Sequence, residues 1–224
     1  MNYKKIKSYA KINLTLNVTG KTLNLHKIES IVAFIDLHDD IFIREIKSSR
    51  HNISFFGKFS SNISKKNTVS ELLSILENKK LLSDKKFQIK VNKRIPSKSG
   101  LGGGSMNAAS ILSYFIKKKI IKINQRETKE ISKLVGSDVI LGINPTNLIL
   151  NSKNEIKKFF NYKKIYTLIV KPNFGCSTKY IYSKINKFNK SKLNKPNKQM
   201  FSPKYLKKMS NFLPYSRQLI NKDD

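Results

Sequence analysis

The stretch Arg94-Ile95-Pro96-Ser97-Lys98-Ser99-Gly100-Leu101-Gly102-Gly103-Gly104-Ser105-Met106-Asn107-Ala108-Ala109 decides how this chain folds. Four of its nine glycines fall within five positions there. Without a Cβ, Gly100, Gly102, Gly103 and Gly104 accept positive φ and let a ligand approach the main chain. A helix start just beyond them would add unpaired N–H groups and the positive end of a dipole, a natural seat for phosphate.

Both flanks support a structured turn and not a flexible linker. Upstream, Phe87, Ile89 and Val91 alternate with Gln88, Lys90 and Asn92, the period of a strand with one buried face, and Pro96 closes it. Downstream, Met106, Ala109, Leu112 and Phe115 recur at three- and four-residue steps, which predicts a helix from near Ser105. The turn has no Gly-Lys-Ser/Thr ending and no G-x-G-x-x-G spacing, so it matches neither of the two commoner phosphate signatures.

Length and composition narrow the classes. The 224 residues, 39% of them hydrophobic, are enough for one large domain or one domain plus part of another. No run of about 18 apolar residues occurs and the first alternating segment begins by Ile6, so the expectation is a cytoplasmic protein without a membrane span. The single Cys176 allows no internal disulfide and no zinc cluster. A net charge of +31 points to polyanions, yet forty of the 45 basic residues are lysines spread along the chain. That spread reads as solvated faces. Nonspecific polyanion binding stays open as a minor alternative; specific nucleic-acid binding is not expected.

From Ile6 to Val18 the even positions are mostly apolar and the odd ones polar, a strand with two unlike faces. Lys11 and Asn13 then lie on one face about 7 Å apart. Alone, Lys11 reads as one more solvated lysine. Gly20 to Ser30 reads as a loop carrying His26. Ile31 to Leu37 and Ile41 to Ile46 read as strands joined by a compact turn, His38-Asp39-Asp40, and Asn52 to Phe56 as a further strand. His51 falls in a polar connection. Asn67 to Lys79 is predicted helical, with Val69, Leu72, Leu73 and Leu76 inward and Asn67 or Thr68 as cap.

Glu127 to Val135 is a second short helix, with Ile131, Leu134 and Val135 inward and Gly136 at its end. Asp138 follows between that end and the apolar Val139-Ile140-Leu141; on its own it reads as a capping aspartate. Asn147 to Leu150 and Ile165 to Lys171 resemble strands, and Thr178 to Ile185 a helix. Beyond Asn186 the chain is rich in Lys and Asn, with a short amphipathic piece at Tyr205 to Phe212 and too little apolar content for a core of its own.

Taken together, Tyr9-Ala10-Lys11-Ile12-Asn13-Leu14, Gly20 with His26, Ile95 to Ala109, and Gly136-Ser137-Asp138-Val139 closely resemble the GHMP kinase superfamily. Within it they resemble the branch that phosphorylates the 2-hydroxyl of 4-diphosphocytidyl-2-C-methyl-D-erythritol in non-mevalonate isoprenoid synthesis. The resemblance covers residues 6 to about 185. It implies an α+β fold: an N-terminal lobe over 1–150 like domain 2 of ribosomal protein S5, then a partial C-terminal α/β lobe over 151–224.

By the same resemblance Asp138 is the catalytic base and Lys11 orients it. Pro96, Gly100, Leu101, Gly102, Gly103, Gly104 and Ser105 hold ATP phosphates, and Asn67 and Lys93 lie near its nucleoside. Asn13, His26 and Thr178 take the cytidyl substrate. ATP is expected to carry Mg²⁺, with no protein metal site, and the chain to be a monomer or weak homodimer. Two departures stand out. Asn24-Leu25-His26 replaces the family's Gly-Tyr-His, and members continue past the point matching Asp224 into a third glycine motif. A truncated inactive copy, another GHMP small-molecule kinase and a basic RNA-binding module are the alternatives.

Overall fold

The computed structural model describes residues 2–22, 26–160, 167–170 and 178–210. Their packing divides into two compact units. The first holds Met1–Lys11 and Phe34–Pro145; the second holds Ile12–Ala33, Thr146–Val170 and the described residues of Cys176–Asp224. Two long strands, β1 (Lys4–Lys21) and β2 (His26–Ile46), pair with each other and supply residues to both units.

In the first unit the later half of β2 runs antiparallel to β4 (Lys86–Asn92), and β4 runs parallel to β3 (Asn52–Phe56). Ile41 faces Val91 and Ile43 faces Ile89 across the first pair, so one side of the sheet is apolar. That side packs on three helices, α1 (Thr68–Asn78), α2 (Gly103–Lys117) and α3 (Gln125–Val135). Leu72, Leu73 and Leu76 of α1 and Leu112 and Phe115 of α2 are fully enclosed, each contributing roughly 2 kcal/mol by removing apolar surface from water. The other side of the sheet is finished by polar and aromatic contacts. The Arg44 guanidinium lies 4.6 Å over the Tyr3 ring, and Arg44 Nε and Tyr3 Oη both donate to Gln88 Oε1 at 2.7 Å.

Asn67 starts α1 as the spacing predicts. Its Oδ1 accepts from Val69 N and Ser70 N, and Ser70 Oγ accepts from Asn67 N in return. A cap of this kind stabilises a helix by about 1 kcal/mol. The α3 helix begins with a similar reciprocal cap between Asn124 and Glu127.

The second unit pairs the early half of β2 with β5 (Asn147–Leu150), Ile31 opposite Ile149, and β5 with β6 (Ile156–Phe159). Two short helices follow, α4 (Thr178–Ser183) and α5 (Pro203–Ser210). Ile31, Ile149, Leu193, Met200, Phe201 and Met209 form its core. Among the described residues no helix is long and apolar enough to cross a membrane.

Several expectations are corrected. His38-Asp39-Asp40 is no turn: β2 runs through it unbroken, because Asp39 and Asp40, 0% and 1% exposed, find cationic partners, the buried Lys93 for Asp39 and the half-exposed Lys5 and Arg94 for Asp40. The Gly20–Ser30 loop is shorter than read, since β1 extends to Lys21 and β2 starts at His26. The two-faced pattern of β1 holds through Ala10 but then fails, with Thr15 and Asn17 buried and hydrogen-bonded to β2.

Leu134 is 60% exposed, the α3 stripe being narrower than its sequence. No strand forms at 167–170, where Leu168 and Val170 are 89% and 79% exposed; the rest of that expected strand lies outside the described residues. The strand β6, Lys-rich and only four residues long, carries no pattern that predicts it. The Lys- and Asn-rich end does join a core, because its sparse Leu193, Met200, Phe201 and Met209 all turn inward. Phe212, the last residue of the amphipathic piece, is outside the described residues.

Candidate active site

The first unit gathers most of the residues that the sequence singled out. The loop after β4 brings the chain to Gly102, which caps α2 in the left-handed region at φ 69°. A Cβ there would also meet Lys11 Cγ at 3.0 Å and Cε at 3.2 Å, so only glycine lets the lysine side chain cross this point. Lys11 N donates to Leu101 O at 3.1 Å, which ties β1 to the loop. The first helical hydrogen bond of α2 runs from Met106 N to Gly102 O at 2.8 Å. The N–H groups of Gly103, Gly104 and Ser105 precede it and have no acceptor within the helix, leaving them for an anion.

The loop rests on several side chains. Thr68 Oγ1 donates to Gly104 O at 2.7 Å, linking the start of α1 to that of α2. Ser99 Oγ donates to Pro96 O at 2.8 Å. Below Gly103 lie Ile95 and Lys93, whose Cγ2 and Nζ would sit 3.0 and 3.1 Å from a Cβ at that glycine. Ser105 is half-buried, and its hydroxyl would lie 3.9 Å from a Cβ at Gly136, so the end of α3 approaches the same helix start.

Asp138 precedes a short 3-10 turn, Val139–Gly142, and its side chain makes no capping hydrogen bond to it. The capping role that the residue suggests in isolation is therefore not the one it has. Its carboxylate is instead 3.2 Å from Lys11 Nζ, the lysine side chain 7% exposed and the aspartate 33%. The turn reaches this place because Gly142 lets it press onto α2. A Cβ at Gly142 would lie 2.7 Å from Ala109 Cβ and 2.8 Å from Met106 Sδ. A cation, a partly open carboxylate and a helix N-terminus thus lie close together, the equipment for moving a proton beside a polyphosphate.

Two expected nucleotide residues have other partners. Asn67 uses its Oδ1 on the α1 cap, and its Nδ2 donates to Ser64 O and Lys65 O, so its side chain is engaged within its own turn. Lys93 is buried and ion-paired with Asp39. Neither Asp39 nor Thr68 was singled out beforehand as a site residue. An acid in the middle of an apolar run was the one available signal for Asp39, and Thr68 gave none.

Asn13, His26 and Thr178, the residues expected to take substrate, belong to the second unit. Asn13 is exposed, and its Oδ1 accepts from Ser30 Oγ at 3.1 Å. The His26 ring stacks on Tyr182, with centroids 4.9 Å apart, and lies 6.4 Å from Phe188. Near Phe188, Lys27, Lys153 and Lys190 line an open cleft of ≈ 520 Å³ within the same unit. Thr178 begins α4. Asn24, Leu25 and residues 172–175, just before Thr178, lie outside the described residues. Among the described residues no three of His, Cys, Asp and Glu gather to hold a metal ion.

Known proteins give this geometry a family. Residues 67–145 match the GHMP kinases N terminal domain. The 4-diphosphocytidyl-2-C-methyl-D-erythritol kinase of Pelagibacter ubique is 61% identical over 213 residues, 95% of this chain and 76% of that protein. The enzyme of the same name from Thermoanaerobacter pseudethanolicus is 32% identical over 186 residues, 83% of this chain and 63% of its own length. The chain therefore spans between about three fifths and three quarters of these relatives. A crystal structure of 4-(cytidine 5'-diphospho)-2C-methyl-D-erythritol kinase shares the fold, with TM-score 0.55 and 21% identity over 70% of this chain and 55% of that one. The chain belongs to the GHMP kinase family and, within it, to the 4-diphosphocytidyl-2-C-methyl-D-erythritol kinases.

Proposed function

We propose that the chain transfers the γ-phosphoryl group of ATP to the 2-hydroxyl of 4-diphosphocytidyl-2-C-methyl-D-erythritol. The observation that carries this reading is the Lys11–Asp138 pair, 3.2 Å apart beside the open start of α2. ATP phosphates lie on the N–H groups of Gly103, Gly104 and Ser105 under this reading. Asp138 accepts the proton of the 2-hydroxyl as its oxygen bonds to the γ-phosphorus, and the bond to the bridging oxygen breaks to release ADP. Lys11 holds the carboxylate in place and offsets charge spreading over the phosphoryl oxygens. The transition state of such a transfer is loose and highly charged, so placement and electrostatics supply most of the acceleration.

Asn13, His26 and Thr178 are assigned to the cytidyl diphosphate part on family likeness. The stacked His26 and the three lysines of the neighbouring cleft suit a base and a diphosphate. Mg²⁺ enters as the companion of ATP. Incubating the chain with ATP and the cytidyl substrate, then identifying the product by mass and phosphorus resonance, tests the reading. One added phosphate at the 2-hydroxyl is expected. Unchanged substrate, or ADP formed without it, counts against it.

A further inference from the structure

Asp39 is fully enclosed in the middle of β2, and all its polar contacts go to three consecutive residues between β4 and the glycine loop. Its Oδ2 meets the ammonium of Lys93, while its Oδ1 accepts from Arg94 N at 2.7 Å and from Ile95 N at 2.8 Å. We propose that Asp39 is a positioning residue for the nucleotide half of the site, fixing through Lys93 and Ile95 where α2 presents its free N–H groups. The inference rests on the kinase reading above.

The path is short. Lys93 Nζ and Ile95 Cγ2 line the space beside Gly103, 3.1 and 3.0 Å from where a Cβ on that glycine would stand. A shift of either side chain into that space would press on Gly103, the first helical residue. Charge adds a second constraint. The buried Lys93 ammonium lies beside the positive end of a helix and would be repelled by it if alone. The Asp39 carboxylate, carried by β2, pairs with it and offsets that repulsion. Placement of reacting groups is where such an enzyme gains its rate, so a residue that never touches ATP can still set the affinity for it.

Asp39→Asn keeps the shape and the acceptor for both N–H groups but withdraws the charge from Lys93. Equilibrium binding of ADP to the full chain should weaken about tenfold, and KM for ATP should rise to match with kcat within about twofold. A merely structural residue would lower the folded fraction, and with it kcat, while leaving KM alone. In a Lys93→Met background, Asp39→Asn should change ADP affinity by less than about twofold, because the group it acts through is gone. Should Asp39→Asn not fold, Lys93→Met alone carries the test, with about tenfold weaker ADP binding expected. Unaltered ADP affinity in the folded variant overturns the inference. Failure of the unsubstituted chain to bind ADP at all overturns the kinase reading and this inference with it.

Discussion

Two of the carboxylates that the strand β2 buries, Glu29 in the second unit and Asp39 in the first, both 0% exposed, are neutralised in different ways. Each accepts two backbone N–H groups from a segment distant in sequence. Asp39 takes Arg94 and Ile95; Glu29 takes Lys192 at 2.8 Å and Leu193 at 3.1 Å. Asp39 then faces a buried cation, Lys93. Glu29 faces neutral groups, Asn17 Nδ2 at 2.8 Å and Ser191 Oγ at 2.6 Å. Both carboxylates anchor chain that has no regular structure of its own. Only the anchor with the cation leads into a loop suited to an anion.

The difference predicts a ranking of losses. Asp39→Ala strands a buried ammonium and two N–H groups, and should lower unfolding free energy in urea by about 3–5 kcal/mol. Glu29→Ala strands neutral donors only; the expected loss is about 2–3 kcal/mol, with ADP affinity unaltered. Equal losses from the two would mean that the cation is not what separates them. Gly102→Ala comes next, at about 1–2 kcal/mol for a side chain in the left-handed region. Because its methyl group would also displace Lys11, phosphoryl transfer should fall much further than stability does.

The smallest effect uses a buried residue that neither anchor touches. His51 Nδ1 accepts from Phe87 N at 2.9 Å, and its Nε2 lies 3.2 Å from Glu77, which also pairs with Lys86. Burial is the main influence and pushes its pKa below the ordinary 6.5, Lys86 acting the same way and Glu77 opposing. The unfolded chain therefore binds a proton more readily than the folded one. The stability due to neutral His51 is complete above pH 6.5 and is lost as pH falls through the lowered folded value. Unfolding titrations across that window should show the loss, and His51→Gln should remove it.

The elements that carry the site were legible because local pattern and tertiary demand agree there. The alternation of Phe87, Ile89 and Val91, the Asn67 cap and the glycine cluster all mean the same in isolation as in the fold. The two anchors were not legible. Asp39 beside His38 and Asp40 has the composition of a turn, and Glu29 falls within the stretch that reads as a glycine-bearing loop; what keeps each inside is a set of backbone donors that only folding brings near. The catalytic pair divides in the same way. Lys11 alone resembles forty solvated lysines and Asp138 a helix cap, and their pairing became readable through the family pattern around them. Leu193, Met200 and Phe201 escaped notice because sparse apolar residues without periodicity carry no local signal.

The most direct measurement is phosphoryl transfer from ATP to 4-diphosphocytidyl-2-C-methyl-D-erythritol by the unsubstituted and Asp138→Asn chains, with ADP binding determined on both. The account predicts ADP release that depends on the cytidyl substrate, a fall of about a thousandfold in Asp138→Asn, and ADP affinity within about twofold between the two. Transfer at an undiminished rate by Asp138→Asn would contradict the role given to the Lys11–Asp138 pair.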